Sequence, residues 1–115
     1  MKRDLILFVQ DISENIRRID SFMENVSEEN FLSNEEKQSA VIRQLEIIGE
    51  AAKNLPENFR KQHPEIEWRK IAGTRDVIIH AYFGVDLDLV WKIIKKDLPK
   101  LKKQIEKILK EIQKW

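Results

Sequence analysis

The chain has 115 residues, enough for one domain, and its 21 basic and 20 acidic side chains leave a formal net charge of +1, so overall charge would not capture nucleic acid. The absence of cysteine excludes disulfides and thiolate metal sites. No apolar run approaches the roughly 20 residues a membrane span requires, and Asp4 and Asp11 interrupt what would otherwise pass for a signal peptide; a soluble, cytoplasmic protein without a membrane partner is expected.

Charge is unevenly distributed. From Lys92 to Lys114 nine lysines face Asp97, Glu106 and Glu111, a surplus of six positive charges, and the preceding segment carries a deficit of five. The default reading of such a basic end is a solvated face, with RNA contact a minority reading.

Apolar residues recur at helical spacing almost throughout, and nothing reads as a hairpin. In the first segment Leu5, Phe8, Val9, Ile12, Ile16, Ile19, Met23 and Val26 form one stripe, and that helix is expected to end near Asn25–Ser27. Ser33, with Glu36 three residues on, has the spacing of a capping box. The helix it opens should run to about Leu55, since Pro56 cannot donate the next backbone bond. Val41, Leu45, Ile48, Ala52 and Leu55 share one face of it, extended by Ala40, Ile47 and Ala51. So broad an arc suggests burial on more than one side, as in a bundle that also dimerises. Arg43, Glu46, Glu50 and Asn54 form the narrow polar strip that remains. Gly49 costs about 1 kcal/mol in mid-helix, so close approach of another helix is the sensible reason for it.

Residues 56–64 read as a short turn or a single helical turn. A further helix is expected from Glu65 to about Tyr82, with a possible interruption at Gly73. Asp86 can cap the next one, which carries Leu87, Val90, Trp91 and Ile94. Pro99 marks a kink or a fresh start with Asp97 as its cap. The last helix spaces Leu98, Leu101, Ile105, Ile108, Ile112 and Trp115 three and four apart, a short heptad seam. The expected architecture is all-α, an antiparallel four- to five-helix bundle over residues 1–115.

Two histidines are present. His63 sits in a polar connection beside Pro64, where an exposed, inert role is expected. His80 sits in RDVIIHAYFGVD among aliphatic and aromatic neighbours. A lone histidine in that setting is more often a packed residue than a catalyst, so its company decides. Arg75 is a permanent cation with a fork suited to phosphate. Asp76, four residues before His80, would share a helical face with the imidazole and could fix its tautomer. Tyr82, seven residues after Arg75, would share the arginine's face, whereas His80 would lie about 140° away on a regular helix. Either the helix breaks before His80 or the site is assembled from two chains. No metal is expected, because His80 has no second ligand at metal-binding spacing; no glycine-rich phosphate loop or nucleophile elbow is present, and no cofactor is called for. Trp68, Phe83 and Trp91 read as core or interface anchors.

The stretch WRKIAGTRDVIIHAYFGVDLDLVWKII resembles the signature of the HepT-like HEPN proteins, in which Arg-x4-His-x-Tyr follows Trp-Arg-x-Ile-x-Gly and precedes Phe-Gly-Val-Asp. LEIIGEAAKNLP, from Leu45 to Pro56, is similar to the second hallmark of that family, and KKDLPKLKKQIEKIL to its tail. The resemblance spans essentially the whole chain. Arg-x4-His alone would be a weak signal; the flanking segments make it strong. A polar or acidic residue is common where this chain has Ala81, a departure that bears on site polarity.

The resemblance implies a homodimer whose motif segments face each other, and metal-independent endoribonuclease activity as the toxin of a type VII toxin–antitoxin pair. Arg75 and His80 would be catalytic, Asp76 and Tyr82 supporting. The partners would be RNA and a cognate minimal nucleotidyltransferase antitoxin, which would adenylylate Tyr82. Arg43, Glu46 and Glu50 could line the cleft, with one carboxylate orienting Arg75, although an ordinary surface ion pair explains them equally well. Two other readings stay open: a non-catalytic nucleotide-binding or accessory subunit of a nucleotidyltransferase complex, and a structural oligomerisation bundle.

Overall fold

The structure is a computed structural model that describes residues 2–80 and 84–113, apart from the side chains of residues 2, 3, 80 and 113. Three long helical stretches build the body. Helix α1 spans Lys2–Phe22, α3 spans Glu35–Asn54, and α7 (Leu87–Lys92) continues through a π-helical turn (Ile93–Asp97) into α8 (Leu98–Gln113). Short helices α2 (Glu28–Leu32), α4 (Glu57–Gln62), α5 (Trp68–Ala72) and α6 (Thr74–Ile78) connect them, and β1 (Ile79–His80) pairs with β2 (Gly84–Val85). The fold is all-α, as the spacing of apolar residues requires.

Helix α1 packs along α3 and α8. Its stripe is buried where the pattern places it, with Val9, Ile12, Ile16 and Ile19 essentially inaccessible. They meet Val41, Leu45 and Ile48 of α3 and Leu101, Ile105 and Ile108 of α8 in one core. Each such side chain contributes roughly 1.5–3 kcal/mol on removal from water. Trp68 is buried beside Phe59, and Trp91 packs against the fully buried Phe31 at 5.8 Å between ring centroids. Both tryptophans are packing residues; Phe83 and Trp115 lie outside the described residues.

Four boundaries differ from expectation. Helix α1 ends at Phe22, and Asn25 takes a left-handed conformation with φ of 60°, a terminator that asparagine tolerates. A separate α2 follows, its first turn capped by Ser27, whose hydroxyl accepts from the Asn30 N–H at 3.1 Å. Ser33 therefore closes α2, its hydroxyl donating to the carbonyl oxygens of Glu29 and Asn30. The cap of α3 is Asn34, whose Oδ1 accepts from the Lys37 N–H at 3.0 Å.

Pro99 begins no new helix. The Leu98 N–H donates to the Ile93 carbonyl, five residues back, and the wider π turn precedes the proline. Widening relieves the clash that a proline ring makes with the carbonyl four residues before it. Asp97 stays inside the helix and pairs with Lys70 at 3.4 Å. Residues 79–85 contain the small hairpin ladder that periodicity did not anticipate: Ile79 pairs with Val85 and His80 with Gly84. Gly84, at φ of 83°, supplies a backbone conformation that other residues rarely adopt.

Candidate active site

Helix α3 sets one wall of the site. Arg43, Glu46 and Glu50 recur at three- and four-residue spacing, so they project from one face. Gly49, buried between them, lets the α5–α6 segment dock against that wall. A Cβ at this position would stand 3.2 Å from the Ile71 carbonyl oxygen and 3.5 Å from that of Ala72. The close approach expected at this glycine is thus made by the end of α5.

Docking brings Arg75, in the first turn of α6, against α3. Its Nε lies 3.8 Å from Oε2 of Glu46, with 65% of the arginine side chain and 29% of the glutamate side chain exposed. Arg43, Glu46, Glu50 and Arg75 line one surface cleft of about 330 Å³, floored by Gly49 and Ala72. Lys53 also lines it. Lys53, three residues after Glu50, continues the polar row into the cleft, whereas Asn54 of the expected strip does not line it. Charges around the cleft come from two arginines, a lysine and two glutamates. The pair at Glu46 leaves most of the guanidinium open to solvent, so its remaining N–H donors are available to an anion.

Helix α6 ends at Ile78, and Ile79 is extended, with φ of −105° and ψ of 117°. The helix expected to run on past Ile78 is therefore not continued at Ile79 and His80. Asp76 is exposed on α6, and the four-residue helical relationship that would set its carboxylate beside His80 is lost because the helix stops two residues too early. The helix ends before His80, one of the two ways out of the geometric conflict on an ideal helix. On the return, the Asp86 N–H donates to the Ile78 carbonyl at 2.7 Å. The Asp86 carboxylate accepts from the Leu89 N–H at 3.1 Å, capping α7 as expected. One aspartate thus ties the end of α6 to the start of α7 and fixes both exits of the segment that carries the motif histidine. The His80 side chain and the whole of Tyr82 lie outside the described residues.

His63 is less exposed than its polar context suggests. Its ring packs on Phe59 at 4.7 Å between centroids, and its carbonyl accepts the Trp68 indole N–H at 3.0 Å. It braces the α4–α5 connection, away from the cleft lined by Arg75. Among the described residues, no three His, Cys, Asp or Glu side chains cluster as they would around a metal ion, and no helix is long and apolar enough to cross a membrane.

The described residues thus form an all-α body in which exposed Arg75 lies on α6 and His80 follows on the extended stretch after Ile78. The family model described as ribonuclease HepT-like matches residues 12–108, and the chain belongs to that family. It is 50% identical over 110 residues to a protein of Thermococcus cleftensis named "Probable ribonuclease HepT", covering 96% of this chain and 100% of the relative. It is 44% identical over 112 residues to a "Putative RNase" of Methanocaldococcus jannaschii, covering 97% of this chain and 93% of that one. A third relative, also from Methanocaldococcus jannaschii, is named "Gamma-glutamylcyclotransferase and putative RNase". It is 45% identical over 114 residues, and the match spans 99% of this chain but 51% of the longer protein. No solved structure matches the chain significantly.

Proposed function

We propose that this HepT-like ribonuclease is a metal-independent endoribonuclease, the toxin of a type VII toxin–antitoxin pair, and that it works as a homodimer with Arg75 and His80 of both subunits around one phosphodiester. The observation that carries the reading is the placement of Arg75: a largely exposed guanidinium at a cleft, held on one side by Glu46, in a chain of a ribonuclease family.

RNA brings its own nucleophile, the ribose 2′-hydroxyl, so the protein needs a base, an acid and a group that stabilises the phosphorane. His80 of one subunit removes the 2′-hydroxyl proton as O2′ attacks phosphorus. The P–O5′ bond breaks, and His80 of the partner subunit protonates the departing 5′-oxygen. Each proton transfer is worth about 10²–10⁴-fold. Arg75 binds the non-bridging oxygens and stabilises their growing charge. The products are a 2′,3′-cyclic phosphate and a 5′-hydroxyl, with no net consumption of protons. A dimer explains how one motif histidine per chain serves both as base and as acid.

Tyr82 is the proposed point of control. A cognate nucleotidyltransferase would move AMP from ATP to its phenolic oxygen, releasing pyrophosphate. The added nucleotide is bulky and anionic and would repel RNA from the cleft.

The test is digestion of a mixed RNA pool in excess EDTA by the wild type and by His80→Ala. Undiminished cleavage in EDTA that is lost in the variant supports the proposal. Strict dependence on a divalent ion contradicts it, and equal behaviour of the two proteins points instead to an accessory, non-catalytic role.

A further inference from the structure

A second opening lies on the other flank of α6, away from the Arg75 cleft, and we propose that it receives an unpaired base of the RNA close to the scissile phosphate, with Lys92 and Lys100 holding neighbouring phosphates. The inference rests on the ribonuclease reading. The opening is about 170 Å³ and is walled by Ile48, Val77, Leu89, Ile93, Leu98 and Leu101. Apolar cavities of about 150 Å³ hold a single aromatic ring, so the space admits one six-membered base packed against aliphatic walls. The π turn contributes Ile93 and Asp97 to the lining, so the widening before Pro99 also shapes this wall.

The rim is mixed, with a small basic surplus. Lys70, Lys92 and Lys100 border the opening together with Glu67 and Asp97, and Lys70 is taken up by Asp97. Lys92 and Lys100 are exposed, and neither forms a salt bridge among the described residues. An apolar slot with two lysines on its rim that form no salt bridge among the described residues fits a base flanked by phosphates better than it fits an uncharged ligand. Distance is consistent as well. Thr74 and Val77 face this opening while Arg75 faces the cleft, so one short helix about 10 Å across separates the two. At roughly 3.4 Å per stacked step, a few nucleotides bridge that gap.

Two polar groups at the rim bias the choice of base. Gln104 Nε2 donates to the Glu65 carbonyl at 3.0 Å, which fixes the amide orientation and leaves Oε1 to accept. The Thr74 hydroxyl donates to the Lys70 carbonyl at 3.0 Å and likewise retains acceptor capacity. Acceptors at the rim favour a base with an exocyclic amine, and among single-ring bases that is cytosine rather than uracil.

The experiment sequences the ends produced from a randomised RNA pool by the wild type, Val77→Trp, and Lys92→Ala/Lys100→Ala. Val77 is half-exposed, so tryptophan there can cover the opening without entering the core. The expected result is a wild-type preference for cytosine within a few nucleotides of the cut. In Val77→Trp that preference is flattened, and cleavage of preferred sites slows about 10-fold as the apolar contact to the base is lost. The lysine pair, introduced into His80→Ala so that RNA stays intact, should reduce the slope of log affinity against log salt by about one per lysine. A wild type that cuts without regard to nearby bases, or a Val77→Trp pattern identical to it, overturns the proposal and leaves the ribonuclease reading standing. A Val77→Trp protein that changes its oligomeric state with unchanged base preference identifies a protein occupant and also overturns it. Absence of cleavage by the wild type removes the ribonuclease reading and this one with it.

Discussion

The guanidinium of Arg75, on the short helix before the motif histidine, pairs with the carboxylate of Glu46 on the central helix at 3.8 Å. Both groups are partly solvated, so the pair is worth less than about 1 kcal/mol to the fold. Its consequence is orientation: one edge of the guanidinium is occupied, and the other is presented to the cleft.

Glu46→Gln should therefore leave the melting temperature within about 4 °C of the wild type while slowing cleavage about 10-fold through kcat. Arg75→Ala should cost about 10²–10³-fold, the range for one lost charge-stabilising donor. Arg75→Lys should not restore activity, because an ammonium lacks the planar fork. Single-turnover rates on a short RNA, measured beside thermal melts, check all three.

Gly49 offers a test of packing. In an open helix, replacement by alanine would add about 1 kcal/mol of stability. Here the new Cβ meets a backbone oxygen, that of Ile71, at 3.2 Å. Gly49→Ala should fail to stabilise, and Gly49→Val should destabilise by about 1–3 kcal/mol through overpacking. Urea denaturation gives both values.

The helix starts can be separated by substitution. Asn34→Ala and Asp86→Ala each remove a side-chain acceptor from a first turn and should each cost about 1 kcal/mol. Ser33→Ala should cost less than Asn34→Ala, since the Ser33 hydroxyl bonds carbonyls at the exposed end of α2. The reverse order would place the α3 cap at Ser33.

These caps mark the limit of what the sequence disclosed. The apolar period of α3 and its polar row of Arg43, Glu46 and Glu50 were legible because helical spacing is geometric and each position reports a face. Ser33 and Asn34 were not separable, since both are good caps one residue apart and only an intervening α2 decides between them. The end of α6 at Ile78 was equally hidden: Val77, Ile78 and Ile79 suit a helix or a strand, and the ladder closed by Gly84 settles the choice. Pro99 reads as a break, yet a π turn absorbs it. Arg75 was identified from the motif; Lys53 follows Glu50 at helical spacing, but its place beside Arg75 became visible only when α6 was laid across α3.

A surface contact between the first and last helices has a defined pH signature. Lys102 Nζ donates to Asp20 Oδ2 at 3.0 Å, and that hydrogen bond, followed by the charge of Asp20, raises the lysine pKa above 10.5. A raised pKa means that the folded state binds the proton more tightly, so the contribution is complete below the unfolded value and is lost as pH climbs through the folded one. Both side chains are well exposed, which keeps the contribution below about 1 kcal/mol. Asp20→Asn should be slightly less stable than the wild type up to pH 10.5, with the difference closing above it. Chemical denaturation at pH 8 and pH 11 measures that closure.

The reaction itself is tested most directly with an RNA that contains one mapped cleavage site and a single 2′-deoxy substitution on the 5′ side of that bond, digested in excess EDTA. If the substrate supplies the nucleophile while Arg75 and His80 supply the rest, the substituted bond stays intact, and the unmodified RNA yields a 2′,3′-cyclic phosphate and a 5′-hydroxyl. Scission at the deoxy position, or products ending in a 5′-phosphate, would contradict it.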